Sequence, residues 1–263
     1  MDEYLAFAKD QVIDWTDEEK DIIIRGMKEI EEIVLSNGWM MPPLDTIVFI
    51  RTTMLEENGI FSYTHGTQIY LGDFIQAYTP EADEEGKIPD CFRTLLAHEV
   101  FHCLTRCNPD FRAKMYSLIH FTVVENDYQI LPSVWEYYIS NPDVEHHNAW
   151  KTFVVDGKKV DCFAAFVTMK HFEKKDEQFF RFATTALVPI DGSDVYYPKD
   201  QVSNFDEIFG TNTGYVIDPE ECMADNFSYA VIYGLNGPAG EGYPNPKIIE
   251  GIIEGIIEIL SRH

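Results

Sequence analysis

Residues 98–102 read His98-Glu99-Val100-Phe101-His102, and no other stretch restricts what this chain can become as tightly. Two histidines four positions apart serve one purpose together only on a helix, where both imidazoles leave the same face one turn apart and can reach a single metal ion. Phe92, Leu95, Leu96, Val100, Phe101 and Leu104 surround the motif, so that helix is expected to be buried on most sides. Asp90 after Pro89 is a candidate cap, and Asn108-Pro109 a stop. Two histidines and a glutamate are costly in such a place without partners. A metal ion supplies them in one reading, while in the other the histidines are hydrogen-bonded core residues and the glutamate is salt-bridged. With a metal, Glu99 lies beside the bound water without being a ligand and takes its proton, because zinc brings the pKa of that water toward neutrality.

The class of site depends on a third ligand. A metzincin continuation needs Gly and His where Thr105 and Asn108 stand, and a di-iron bundle needs a second Glu-x-x-His, which the chain lacks. Far downstream, Asp218-Pro219 marks a helix start, and Glu221, Asp225 and Tyr229 follow at four-residue spacing on one face. Glu221 can then be the third ligand, with Asp225 accepting the free ring N–H of a metal-bound histidine. A second reading stays open, in which Glu221, three residues after Asp218, folds back as a capping-box glutamate. Glu220 is the alternative ligand, but Ala224 four positions on offers it no supporting group.

His98-Glu99-x-x-His102 followed by Glu221-x-x-x-Asp225 resembles the gluzincin branch of the zincin-like metallopeptidases, whose familiar members are the thermolysin-like enzymes. The resemblance rests on these two short motifs, and the interval between them is much longer here. It implies one Zn²⁺ per chain held by His98, His102 and Glu221, with Glu99 as general base, Asp225 behind a histidine, and a peptide or protein substrate. It also implies an α/β (α+β) zincin-like fold: a mixed sheet with an edge strand beside the metal-binding helix, plus a mainly helical C-terminal half. In that family an extended substrate pairs with the edge strand, and Thr67-Gln68-Ile69-Tyr70-Leu71, alternating polar and apolar, is the candidate for it, though an ordinary solvent-facing strand reads the same way. A hydrogen-bond donor opposite the metal is also expected. Tyr229 is preferred for its helical face, with Tyr215, His146 and His147 as competitors.

The rest of the chain supplies a scaffold. Thr16 with Glu19 opens an amphipathic helix through Ile22, Ile23, Met27, Ile30 and Val34 that Asn37-Gly38 closes. Thr46 to Thr53 is rich in β-branched residues, and Asn58-Gly59 marks a turn. Pro80 to Lys87 reads as an acidic surface loop. Asn108 opens another helix with Met115, Leu118, Ile119 and Phe121 directed to the core. Phe153–Val155 and Val160–Val167 flank Asp156-Gly157 as a tight hairpin. The Ile-Ile-Glu-Gly repeat from Ile248 to Glu258 puts its isoleucines on one side of a helix that docks on the core, its glycines allowing close approach, with membrane-surface or partner binding as the other reading. Its recurring glutamates exclude a membrane span. His65, His120 and His171 read as ordinary surface or core residues, and His263 as part of a frayed end.

A chain of 263 residues suits one domain, 1–263, in which 1–140 carries the sheet and the metal helix and 141–263 returns the third ligand. Forty-five acidic against twenty basic residues, net −25, oppose binding to nucleic acid or anionic lipid. Cys91, Cys103, Cys107, Cys162 and Cys222 are odd in number and without knuckle spacing, which, with no signal segment visible, suggests reduced thiols in the cytoplasm. Two other functions remain: a zinc amidase of deformylase type with Cys222 as ligand, and a non-catalytic zincin-like binding protein, against which an intact Glu99 argues. Side-chain preference, endo- or exo-action and oligomeric state are not legible.

Overall fold

The capping box at Thr16 forms as the sequence predicts: Glu19 N–H donates to Thr16 Oγ1 at 3.1 Å and Thr16 N–H to Glu19 Oε2 at 2.9 Å. In the computed structural model, which describes residues 2–78, 87–171, 181–243 and 246–262, this box opens α2 (Asp17–Ser36), preceded by α1 (Asp2–Asp10). Glu19 also turns its second oxygen to Arg51 at 3.1 Å, a buried pair that ties α2 to the sheet beneath it. The turn signals and β-branched runs give β1 (Val48–Arg51), β2 (Ser62–His65) and β3 (Gln68–Leu71), a three-stranded mixed sheet in the order β1-β3-β2. β3 runs parallel to β1 and antiparallel to β2, to which the Gly66-Thr67 turn joins it.

This order corrects the edge-strand expectation. Thr67, Gln68, Ile69 and Tyr70 belong to or adjoin the central strand, whose hydrogen-bonding groups face β1 and β2, so no peptide can pair with it. The edges are β1 and β2, and β2 lies against the helix that carries the motif. Ile69 and Leu71 point into the core, which explains the alternation that made this strand look half exposed.

That helix is α3 (Asp90–Cys107), and α4 (Pro109–Ser117) follows directly. Asp90 is its first residue and not its cap; its carboxylate pairs with Arg93 instead. Phe92, Leu96, Ala97, Phe101 and Leu104 are buried, so α3 runs through the middle of the molecule. Beyond it come β4 (Thr122–Val123), the short α5 (Pro132–Trp135), β5 (Ala149–Val155), β6 (Lys158–Thr168), β7 (Ala183–Pro189) and β8 (Tyr197–Pro198). The five strands form a second sheet, antiparallel throughout, in chain order. The expected hairpin is present: Val155 faces Lys158 across Asp156-Gly157, both at positive φ. The C-terminal half is therefore not mainly helical. β7, which was not anticipated, is buried without alternation from Thr185 to Pro189, and a short apolar run of that kind has no distinctive period.

The chain closes with α6 (Phe205–Phe209), α7 (Pro219–Tyr233) and α8 (Pro246–Ser261). α7 packs along α3, and α8 lays Ile252, Ile253, Ile256 and Leu260 on the core beside α7 and α4. Gly255 lies so close to Leu118 that an added Cβ would require the Leu118 side chain to shift, whereas Gly251 faces open space. One apolar cluster draws on α2, α3, α4, β5, α6, α7 and α8, and a smaller one lies between α5 and the second sheet. Of the acidic stretch Pro80 to Lys87, only Lys87 lies within the described residues, and His263 lies outside them. Among the described residues no helix is long and apolar enough to cross a membrane.

Candidate metal centre

Asp218 caps α7 by accepting the Glu220 N–H at 2.7 Å, and Pro219 occupies the first turn, where its missing donor costs nothing. The capping-box alternative for Glu221 is not formed. Its carboxylate points across to α3, with Oε2 3.1 Å from His98 Nε2 and 3.5 Å from His102 Nε2. Asn141 donates to the other oxygen, Oε1, at 2.5 Å, so one oxygen of Glu221 is committed to the histidines and one to the loop before β5. His98, His102 and Glu221 form a group whose ligand atoms could share one cation.

Each histidine is fixed from behind. His98 donates from Nδ1 to Asp225 Oδ1 at 2.8 Å, and Asp225 Oδ2 accepts from Thr213. His102 donates from Nδ1 to Glu220 Oε1 at 3.0 Å. Glu220 anchors the second imidazole and stands outside the group whose ligand atoms could share a cation. It also accepts from Thr105 at 2.6 Å and from Tyr116 at 2.5 Å, with Arg112 3.8 Å away. Both Nε2 atoms are thereby turned toward Glu221, and that of His102 is buried with no hydrogen-bond partner.

Burial alone would lower the pKa of both imidazoles. Their carboxylate neighbours more than offset it, raising His98 well above its ordinary value and His102 to about 10. Glu221, although fully buried, is held far below the carboxylate range by His102 and His98. Such a cluster favours positive charge, whether proton or metal. Glu99 is 3% exposed; burial first and Asp143 second push its carboxyl up to about 7. Ser62 of β2 donates to Glu99 Oε1 at 2.6 Å, while Oε2 has no partner.

His98, Glu99, Glu221 and Asp225 line a cavity of about 630 Å³, with His102 buried behind them. Its walls are Gly59 to Ser62, the first turns of α3, Ile139 to Asp143, Phe166, Tyr215 and Ile217. Tyr229 is not among its lining residues; it packs against the core beside Tyr233, because one further turn of α7 carries it past the site. Tyr215 is the tyrosine at the centre, its ring centroid 6.2 Å from that of His98. Burial, then Glu221, Asp143, Glu99 and Asp225, raise its pKa well above 10, so it remains a neutral donor. His146 is exposed on Asp127, His147 is bonded to the Tyr138 hydroxyl at 2.9 Å, and neither lines the cavity. The Cys222 thiol points to the Phe209 carbonyl, 3.5 Å away, and stands outside the ligand group.

Ser62, Asn141 and Asp143 were not anticipated. The Asn58-Gly59 turn and Gly66 bracket β2 and could have revealed it, but Asn141-Pro142-Asp143 is an ordinary turn sequence whose partners come from distant segments. Compared with known proteins, the chain matches no family model, no curated protein and no solved structure.

Proposed function

We propose that this chain is a zinc-dependent metallopeptidase of zincin-like, gluzincin type, with one Zn²⁺ held by His98, His102 and Glu221. The observation that carries the reading is the donor set. In a tetrahedral site with bonds of about 2.0–2.1 Å, neighbouring donors stand about 3.4 Å apart, and Glu221 Oε2 is 3.1 and 3.5 Å from the two imidazole Nε2 atoms. Two imidazoles and a carboxylate are a protein ligand set of catalytic zinc, and His98 and Glu221 border a cavity from which water and substrate would reach an ion held there. A bound zinc ion supplies Lewis acidity, making water more acidic and polarising a carbonyl.

The remaining steps belong to the chain's own residues. Glu99 takes a proton from the attacking water as its oxygen bonds to the peptide carbonyl carbon. It then returns that proton to the departing nitrogen as the C–N bond breaks. Ser62 holds Oε1 and so leaves Oε2 as the working oxygen. Tyr215 donates to the oxygen that gains negative charge. Asp225 and Glu220 keep the imidazole tautomers fixed, so that both Nε2 atoms would be free to hold the ion. The substrate lies extended along β2, the edge strand that adjoins Glu99 through Ser62. Five free thiols among the described residues support a cytoplasmic location.

The test is hydrolysis of a mixed peptide library by the zinc-loaded protein, followed by mass spectrometry, beside Glu99→Gln. The wild type should cut peptides and the variant should be slower by about 10²- to 10⁴-fold, the usual worth of a general base. Equal rates would overturn the reading.

A further inference from the structure

The cavity beside His98 and Glu99 is asymmetric in charge. Its described lining holds five carboxylates, Glu57, Glu99, Asp143, Glu221 and Asp225, and no lysine or arginine. Glu221 and Asp225 are engaged with the histidines. Glu99 and Asp143 stand face to face: an oxygen of each lies within 4.8 Å of the other and of a His102 ring nitrogen. They are 3% and 8% exposed, and Glu99 Oε2 is buried without a partner. Two carboxylates this close in a desolvated place repel each other; Arg106, 3.9 Å from Asp143 Oδ1, and His102 reduce that repulsion, and a positive group between the carboxylates would relieve it further.

The cavity is asymmetric in shape as well. A strand-like ligand on β2 would use the backbone groups that alternate residues turn outward. At Thr64 both are already taken, the N–H by Asp143 Oδ1 at 2.7 Å and the carbonyl by Arg106 at 3.5 Å. Arg106 also holds the carbonyls of Pro142 and Asp143, at 3.1 and 3.0 Å, which pins that segment across the strand. The cavity wall accordingly stops at Ser62, while the opposite direction runs out past Ile60 and Phe61, the latter 72% exposed. An extended chain on β2 has room in one direction only.

We infer that the substrate's amino terminus occupies this closed end, its α-ammonium group bound by Asp143, so that the enzyme is an aminopeptidase. This rests on the peptidase reading above. In any residue the α-nitrogen lies about 2.5 Å from its own carbonyl carbon. A scissile carbonyl beside Glu99 then has its ammonium group within reach of Asp143, whose carboxylate oxygen lies within 4.8 Å of one of Glu99. An α-carboxylate at the same end would meet the carboxylates of Asp143 and Glu99, with Arg106 already engaged by the Thr64, Pro142 and Asp143 carbonyls, which argues against a carboxypeptidase. Asp143 sets specificity by touching the substrate, and Glu99 keeps its role as base.

The test compares short peptides with free and acetylated amino termini on the zinc-loaded protein, wild type and Asp143→Asn. The asparagine keeps the Oδ1 acceptor for Thr64, and thermal unfolding verifies that the variant is folded. Expected are stepwise release of N-terminal residues, a loss of at least a hundredfold in kcat/KM on acetylation, and a free-to-acetylated ratio near one in Asp143→Asn. Internal cuts, or acetylated peptides cut as fast as free ones, would overturn the inference and leave the peptidase reading standing. Should neither kind be cut, the peptidase reading fails, and binding of an uncleavable ketomethylene peptide decides the ammonium site. Binding at least tenfold tighter with a free than with an acetylated terminus upholds it; equal or absent binding overturns it.

Discussion

Replacing Glu220 by glutamine removes one negative charge from behind His102 and little else. Glu220 Oε1 accepts from His102 Nδ1 at 3.0 Å and Thr105 Oγ1 at 2.6 Å, contacts that a glutamine carbonyl reproduces. The glutamine amide then faces Tyr116, whose hydroxyl can accept where it had donated. What disappears is the charge that raises the basicity of His102 and balances Arg112, 3.8 Å away. Removal of such a partner lowers metal affinity by about 10- to 100-fold, or roughly 1.4–2.8 kcal/mol at 1.4 kcal/mol per decade. Alanine is the wrong choice, since it would strand the buried Tyr116 and Thr105 and the half-buried Arg112 at a cost of about 3–5 kcal/mol and confuse affinity with unfolding. The assay is zinc competition against a chelator of known affinity, with thermal unfolding of the metal-free protein alongside. Asp225→Asn, acting on His98, should lose affinity to the same order. Zinc held by Glu220→Gln within twofold of the wild type would refute the claim that this carboxylate serves the centre.

Two further results follow from the same geometry. In α8, Gly255→Ala drives a methyl into Leu118 and should cost about 1–2 kcal/mol after the gain in helix propensity, whereas Gly251→Ala meets nothing and should stabilise by about 0.5–1 kcal/mol; opposite shifts in the urea midpoint check both. Because burial and Asp143 push Glu99 up to about 7 and the base works only when ionised, kcat/KM should rise with pH and level off above neutrality. A bound dication pulls that pKa down, so a limb centred above pH 8 would contradict the assignment.

The site was legible in part because its main residues come in two local patterns. A four-residue spacing on one helix puts His98 beside His102, and the same spacing on α7 puts Glu221 beside Asp225; helical geometry alone does this. The pairing of the two helices adds what no local pattern contains, including which of Glu220 and Glu221 faces both histidine Nε2 atoms. Glu220 looked like a rival ligand because the sequence shows its neighbour Ala224 and not its partners Thr105 and Tyr116. Tyr229 was chosen for a helical face that faces the core, while Tyr215 reaches the cavity from irregular chain before α7. Sheet order was the least visible feature. Thr67 to Leu71 alternates as an edge strand would, yet whether a strand is central depends on what pairs with it, and β2, a four-residue strand, was overlooked. Capping chemistry and tight turns, being local, were read correctly at Thr16 and at Asp156-Gly157.

The most direct test is the metal stoichiometry of the folded protein after zinc loading and gel filtration, measured by elemental analysis on wild type and Glu221→Ala. The account predicts one zinc per chain in the wild type and its loss or severe weakening in the variant, with both proteins folded. A wild type that takes up no zinc, or a Glu221→Ala variant that keeps it as tightly, would contradict the three-ligand centre and the peptidase built on it.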